Sequence, residues 1–203
     1  MSTLAQAKNL GGVGSILVLL SFIPFAGPVL AIVGFILTLI AVKYISDTLG
    51  EKPIFNNMII SVVLAIVGLA VGAVVVFASI FRFIGLGFLS GNFMDPGFNP
   101  PMIPPTDIVS FIVPIIFGLI LIWIFYLISA VFLRRSYSSI AARLNVGLFG
   151  TAALIYLIGA ALAIVLVGFV LIFVSQILQI VAFFSLPEQV PQPPQAQITS
   201  TSS

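Results

Sequence analysis

The sequence predicts an all-α fold, a polytopic transmembrane bundle of about six helices, and three observations predict it. Of 203 residues, 61% are apolar and 6% charged; soluble domains carry about 25% charged residues, so a soluble fold would lack polar groups to face water. The charges also cluster, leaving residues 9–42, 53–81, 108–133 and 144–187 with none. Finally, runs such as 59–78 and 112–132 do not alternate in polarity, as barrel strands do. Hydrocarbon admits only helices or closed barrels, because every backbone amide must be paired internally.

Residues 1–9 read as a short polar lead. Lys8 and the apolar stretch from Leu10 imitate a signal peptide, but Pro28 would follow a cut after Gly27 and disfavours cleavage, so a retained span is expected. A single transmembrane domain then covers residues 10–186. Residues 10–46 would run roughly 55 Å as one helix, but Pro24 and Pro28 in SFIPFAGPV interrupt them. Proline breaks helices and favours turns, so spans over 10–23 and 28–46 are predicted, with a re-entrant hairpin as the rival. A polar loop at 47–55 leads to a third span over 56–84. Residues 85–107 are rich in Gly, Pro and Asn and read as an external loop lying against the interface. The fourth span, 108–133, is followed by a basic loop, RRSYSSIAARLNVG. The charge-free stretch after Arg143 would reach roughly 66 Å as one helix, about twice the hydrocarbon thickness. It therefore predicts two spans, 148–164 and 168–186, with Gly159 and Gly168 marking the turn. The tail, 187–203, is rich in Pro, Gln, Ser and Thr and is expected to be disordered.

Six spans place Lys8, Lys43, Lys52, Arg134, Arg135 and Arg143 on one side and leave Arg82 as the exception, snorkelling near the outer end of the third span, so both termini are expected on the cytoplasmic face of the plasma membrane. Four long spans are the rival arrangement; they put Lys8 outside and demand helices of roughly 55 Å or more. A weak internal echo supports pairing of the two long stretches: VGFIL at 33–37 recurs as VGFVL at 167–171. With six spans this repeat is parallel, unlike the inverted repeats common in transporters.

Composition narrows the chemistry. The absence of Cys and His removes disulfides, thiolate chemistry, haem-type histidine ligation and most zinc sites. A net charge of +2 is too small to suggest nucleic acid. Asp47, Glu51, Asp95, Asp107 and Glu188 all fall outside the spans, whereas an ion-coupled carrier needs an ionisable group within the membrane. Tyr126 and Ser129 are three apart, but nothing beside them activates a serine. No enzymatic activity, cofactor or metal is expected.

Three groups of residues remain. Ser61, Ala65, Gly68 and Gly72 share one helix face and permit close helix approach, within the chain or between copies. Ser175, Gln176 and Gln179 lie inside the last span, where amides need partners: either hydrogen bonds to other helices or a polar path for a solute. Lys43, Lys52, Arg134, Arg135 and Arg143 set topology and can attract anionic lipid headgroups.

The segments at 10–47 and 148–188, with the Gly-Gly start, the FIPFAGP break, AVKYISD and the terminal LQIVAFFSLPE, resemble domain-of-unknown-function family 996, small multi-pass membrane proteins found mainly in archaea. The resemblance covers about residues 4–188. It implies an archaeal plasma membrane, and it brings no functional residues because the family has no assigned activity. The expected role is structural, or that of an accessory subunit of a membrane complex. The expected partners are the lipid bilayer and other membrane proteins or a second copy, without nucleic acid. A small passive channel or solute permease is the alternative.

The Cys-free background makes the topology testable by single-cysteine labelling. Thiols at positions 138 and 202 are expected to be protected from an impermeant external reagent, and one at position 96 to react. External labelling at position 202 would rule out the six-span arrangement.

Overall fold

The computed structural model describes residues 3–89, 105–165 and 167–191, and all regular structure among them is helical. Six α-helices follow one another: α1 (Thr3–Leu19), α2 (Gly27–Leu49), α3 (Lys52–Leu89), α4 (Pro105–Leu144), α5 (Gly147–Ala161) and α6 (Val167–Phe184). Short 3₁₀ turns at Leu20–Phe22 and Ala163–Val165 follow α1 and α5. Four of these helices, α2, α3, α4 and α6, are long and apolar enough to cross a membrane. Residues 90–104, most of the segment read as an external loop, and residues 192–203 of the tail lie outside the described residues.

Helix boundaries differ from the sequence expectation wherever charge predicts a loop. The polar lead is the first turns of α1, with Leu4 and Ala7 buried. The loop placed at 47–55 shrinks to Gly50 and Glu51: α2 stops because Gly50 adopts φ +67° and its N–H bonds back to Ser46 and Asp47, a left-handed cap that glycine adopts without steric cost. The basic loop is not a loop either. Helix α4 continues through Arg134, Arg135 and Arg143 to Leu144, and Asn145, at φ 55°, ends it. Helical residues also extend into both ends of the 85–107 segment, to Leu89 and from Pro105. Gly159 and Gly168 sit within α5 and α6, on either side of the turn at 162–165, rather than in it.

Three antiparallel hairpins result: α1–α2, α3–α4 and α5–α6. Each is crossed at a pair of facing glycines. In the first, a β-carbon on Gly14 would stand 2.6 Å from the carbonyl oxygen of Gly34. In the second, one on Gly72 would stand 2.8 Å from the Gly118 carbonyl. In the third, one on Gly159 would stand 2.9 Å from the Gly168 carbonyl. Without the side chains the backbones pack against each other directly, the means by which helices associate where apolar burial supplies no drive. Gly34 and Gly168 are the matching glycines of the VGFIL and VGFVL repeats, so the echo in sequence corresponds to an equivalent crossing in two hairpins.

The two short hairpins dock through α1 and α6. The ring of Phe183 fills the place of a β-carbon on Gly11, and that of Phe184 the place of one on Gly12. The Gly-Gly and Phe-Phe pairs, at opposite ends of the chain, are thus complementary surfaces. A buried apolar cluster lies at one end of the bundle, where α1, α3 and α5 begin and α2, α4 and α6 finish. Its centre is Tyr137, Phe149 and Phe183 from the last three helices. Their ring centroids are 5.0–6.5 Å apart and their planes nearly perpendicular, edge-to-face contacts each worth about 0.5–1.5 kcal/mol. Buried Ser136 ties α4 to the start of α3 by donating to the Ile54 carbonyl at 2.8 Å.

The hairpins differ in length. Helices α3 and α4, of 38 and 40 residues, run roughly 57–60 Å. The others, of 15 to 23 residues, run roughly 22–35 Å. Starting from the common end, the long hairpin continues past the tips of the short ones.

Valine at Gly14 or Gly34 is expected to lower stability by about 1–3 kcal/mol, the usual cost of overpacking, seen as a lower thermal midpoint in detergent. At Gly147 nothing lies within 4 Å of an added β-carbon, and alanine there is expected to leave the midpoint unchanged or raise it. A wild-type midpoint in Gly34→Val would refute the close crossing.

Candidate functional site

A cleft of about 250 Å³, partly open to the exterior beside the exposed Phe35 and Ile66, is lined by residues of all six helices. The lining surface is mostly apolar, with polar groups set into it from several helices. Helix α6 contributes Gln176 and Gln179, α3 contributes Ser61, α4 contributes Ser129 and Tyr137, and Thr38 and Tyr156 come from α2 and α5. No charged side chain among the described residues lines it. At about 30 Å³ per water, it has room for several waters or one small solute.

The three polar residues of α6 divide their work. Ser175 is buried and donates to the Ala152 carbonyl on α5 at 2.8 Å. Gln179, 8% exposed, donates through Nε2 to Ser15 Oγ on α1 at 3.0 Å, which joins the two short hairpins. Gln176 faces the cavity and differs from both: its Oε1 is buried and has no hydrogen-bond partner among the described residues. Other hydroxyls of the lining are engaged elsewhere. Ser61 and Ser129 bond each other at 3.0 Å, and Thr38 donates to Gly34 within its own helix at 3.0 Å. A buried carbonyl without a donor costs about 1–3 kcal/mol, and native proteins seldom leave one unfilled. The cavity therefore presents a hydrogen-bond acceptor in uncharged surroundings.

The face of Ser61, Ala65, Gly68 and Gly72 serves two ends. Gly68 packs against Phe125, and Gly72 against Gly118 and Ile122, so these two glycines are occupied by α4. Ser61 and Ala65, nearer the common end, line the cavity. The basic residues also separate. Arg143 forms an ion pair with Glu51, Arg134 and Arg135 line a second pocket, and Lys43 and Lys52 are exposed at the ends of α2 and α3. Sequence reasoning missed Thr38, Ser15 and Tyr156. A signal existed for two of them, since Thr38 lies four residues after Gly34 and Ser15 beside Gly14, on faces that the glycines mark as packed.

Apolar helices with their polar groups turned into the bundle define a class compatible with a membrane protein: an all-α bundle with an apolar exterior. Within that class the chain belongs to the family described as "Protein of unknown function (DUF996)", which matches residues 30–177. It is also 36% identical, over 185 residues, to an uncharacterised protein of the archaeon Methanocaldococcus jannaschii, an alignment covering 91% of this chain and 94% of that one. No solved structure matches. The family match includes Thr38, Ser61, Ser129, Tyr156 and Gln176, and ends before Gln179.

Gln179→Leu is expected to lower stability by about 1 kcal/mol, the usual worth of one hydrogen bond. Gln176→Leu, which removes an unpaired carbonyl, is expected to leave stability unchanged or raise it when no solute is present. Equal destabilisation by the two would show that Gln176 already has a protein partner.

Proposed function

We propose that this chain is an integral membrane protein without enzymatic activity whose interior admits a small, uncharged, hydrogen-bond-donating solute. The observation that carries this reading is the Gln176 carbonyl, without a partner among the described residues, facing a cavity to which all six helices contribute. A charged solute would meet no counter-charge there, and burying an unpaired ion is prohibitively costly. A neutral hydroxyl or amide would supply the donor that Gln176 lacks. Small polyols and urea have the right size and chemistry, and passive passage needs no titrating group within the bundle. The positions of Lys8, Lys43, Lys52, Arg134, Arg135 and Arg143 at the common end support placing that end, with the N-terminus, in the cytoplasm, and archaeal membership of the family supports a plasma membrane.

Proteoliposomes mixed rapidly with glycerol or urea test this by light scattering. They are expected to re-swell several-fold faster than protein-free vesicles, and the Gln176→Leu/Gln179→Leu double variant to lose the difference. Re-swelling equal to that of empty vesicles would restore the structural or accessory role as the better reading.

A further inference from the structure

The second pocket, about 570 Å³, lies where α3, α4 and α5 meet near the common end. Its rim is polar and basic: Arg134, Arg135 and Ser138 of α4, with Asn57 of α3 facing them. Its deeper wall is apolar, formed by Val131 one turn back along α4 and Leu157 of α5. The arginines stand where the charge-free stretch of α4 gives way to the polar end of the bundle. In a bilayer this is the depth of lipid headgroups, and long basic side chains reach it readily.

The charge at this rim is not neutralised from within. Glu51 is committed to Arg143, and among the described residues neither Arg134 nor Arg135 has a carboxylate partner. The Arg135 guanidinium rests over the Phe132 ring, 5.3 Å from its centroid. Stacking of this kind holds the planar group while leaving its edge N–H donors free to bind. Ser139 spends its hydroxyl on the Arg135 carbonyl at 3.1 Å. Ser138 and Asn57 have no recorded hydrogen bond among the described residues, so an –OH and an –NH₂ remain to donate beside two guanidinium groups. Such a set of donors matches phosphate oxygens, which arginine grips through paired N–H groups.

We propose that Arg134, Arg135, Ser138 and Asn57 bind the phosphate of an anionic phospholipid headgroup, with Val131 and Leu157 against the start of its acyl region. Free phosphate shares the headgroup's chemistry but has nothing to place against that apolar wall. The proposal rests on the bilayer reading of the chain and is independent of the polar cavity, so an absence of solute flux leaves it standing.

Thermal unfolding of the full chain in neutral detergent, followed through its single Trp123, tests it. That indole donates to the Ala160 carbonyl at 3.1 Å and so reports the α4–α5 contact beside the pocket. Dihexanoyl phosphatidylglycerol, at constant ionic strength, is expected to raise the midpoint by about 3 °C or more. Dihexanoyl phosphatidylcholine and sodium phosphate at the same concentration are expected to raise it by less than half as much. Arg134→Gln and Arg135→Gln should each reduce the shift, and the double variant should abolish it. Lys43→Gln/Lys52→Gln, which removes as much charge from the same end, should retain it. Four results would overturn the proposal: no shift with the anionic lipid; an equal shift with phosphatidylcholine; an equal shift with sodium phosphate, which would identify a soluble-anion site; or an equal loss in the lysine pair, which would identify general charge attraction. Should the double arginine variant fail to fold, the two single variants decide.

Discussion

Three glycine pairs set the geometry on which the rest of this bundle depends. Gly14 with Gly34, Gly72 with Gly118 and Gly159 with Gly168 bring the two backbones of each hairpin to a separation that no side chain would permit. Inside a bilayer the hydrophobic effect cannot draw one apolar helix to another, because lipid tails are as apolar as the helices. Close packing and a few hydrogen bonds must do so instead. Each crossing fixes which residues of its two helices face inward. Thr38 lies one turn after Gly34 on α2, and Ser15 lies beside Gly14 on α1. Ser61 lies two and three turns before Gly68 and Gly72 on α3. The polar residues reach the interior because the glycines have already turned those faces toward one another.

Hydrogen bonds then tie helices together, both within a hairpin and between hairpins. Gln179 to Ser15 connects α6 to α1, Ser61 to Ser129 reinforces the long hairpin, and Ser136 to Ile54 binds its base. These bonds use most of the polar groups that sequence inspection finds inside the spans. Gln176 is left over, and its isolation is meaningful only because its neighbours are satisfied. The aromatic cluster of Tyr137, Phe149 and Phe183 closes the common end beneath it, so Tyr137 belongs both to the packed core and to the cavity lining.

Helix content, the break at Pro24 and Pro28 and the paired last helices were legible because long charge-free stretches and prolines constrain the backbone strongly. Helix ends were not legible, because charged residues suit a loop and the exposed face of a helix equally well. In RRSYSSIAARL the buried positions Ser136, Tyr137, Ile140 and Leu144 recur at helical spacing. That pattern was present in the sequence and was outweighed by three arginines that sit on the exposed face of the same helix. Gly159 and Gly168 misled for a related reason: glycine permits both turns and close packing, and a single sequence does not distinguish the two uses. Of the cavity, Gln176 and Gln179 were legible as amides in an apolar run. Thr38 and Tyr156 were not, since their meeting depends on how three hairpins dock. The complementarity of Gly11-Gly12 with Phe183-Phe184 spans nearly the whole chain, and no local pattern announces it.

The unequal hairpins give the molecule two thicknesses. A bilayer of about 30 Å hydrocarbon is shallow for α3 and α4 and deep for α1 and α5, and lipid answers such mismatch by thickening on one side, thinning on the other, or letting the helices tilt. Lipid against the long hairpin and lipid against the short ones would be stretched and compressed in opposite senses around a single protein. Such a step in height is relieved when another molecule with the reverse profile lies alongside, or when the membrane itself is already uneven. In a bilayer, the length difference between the hairpins would favour places where the hydrocarbon thickness is itself uneven.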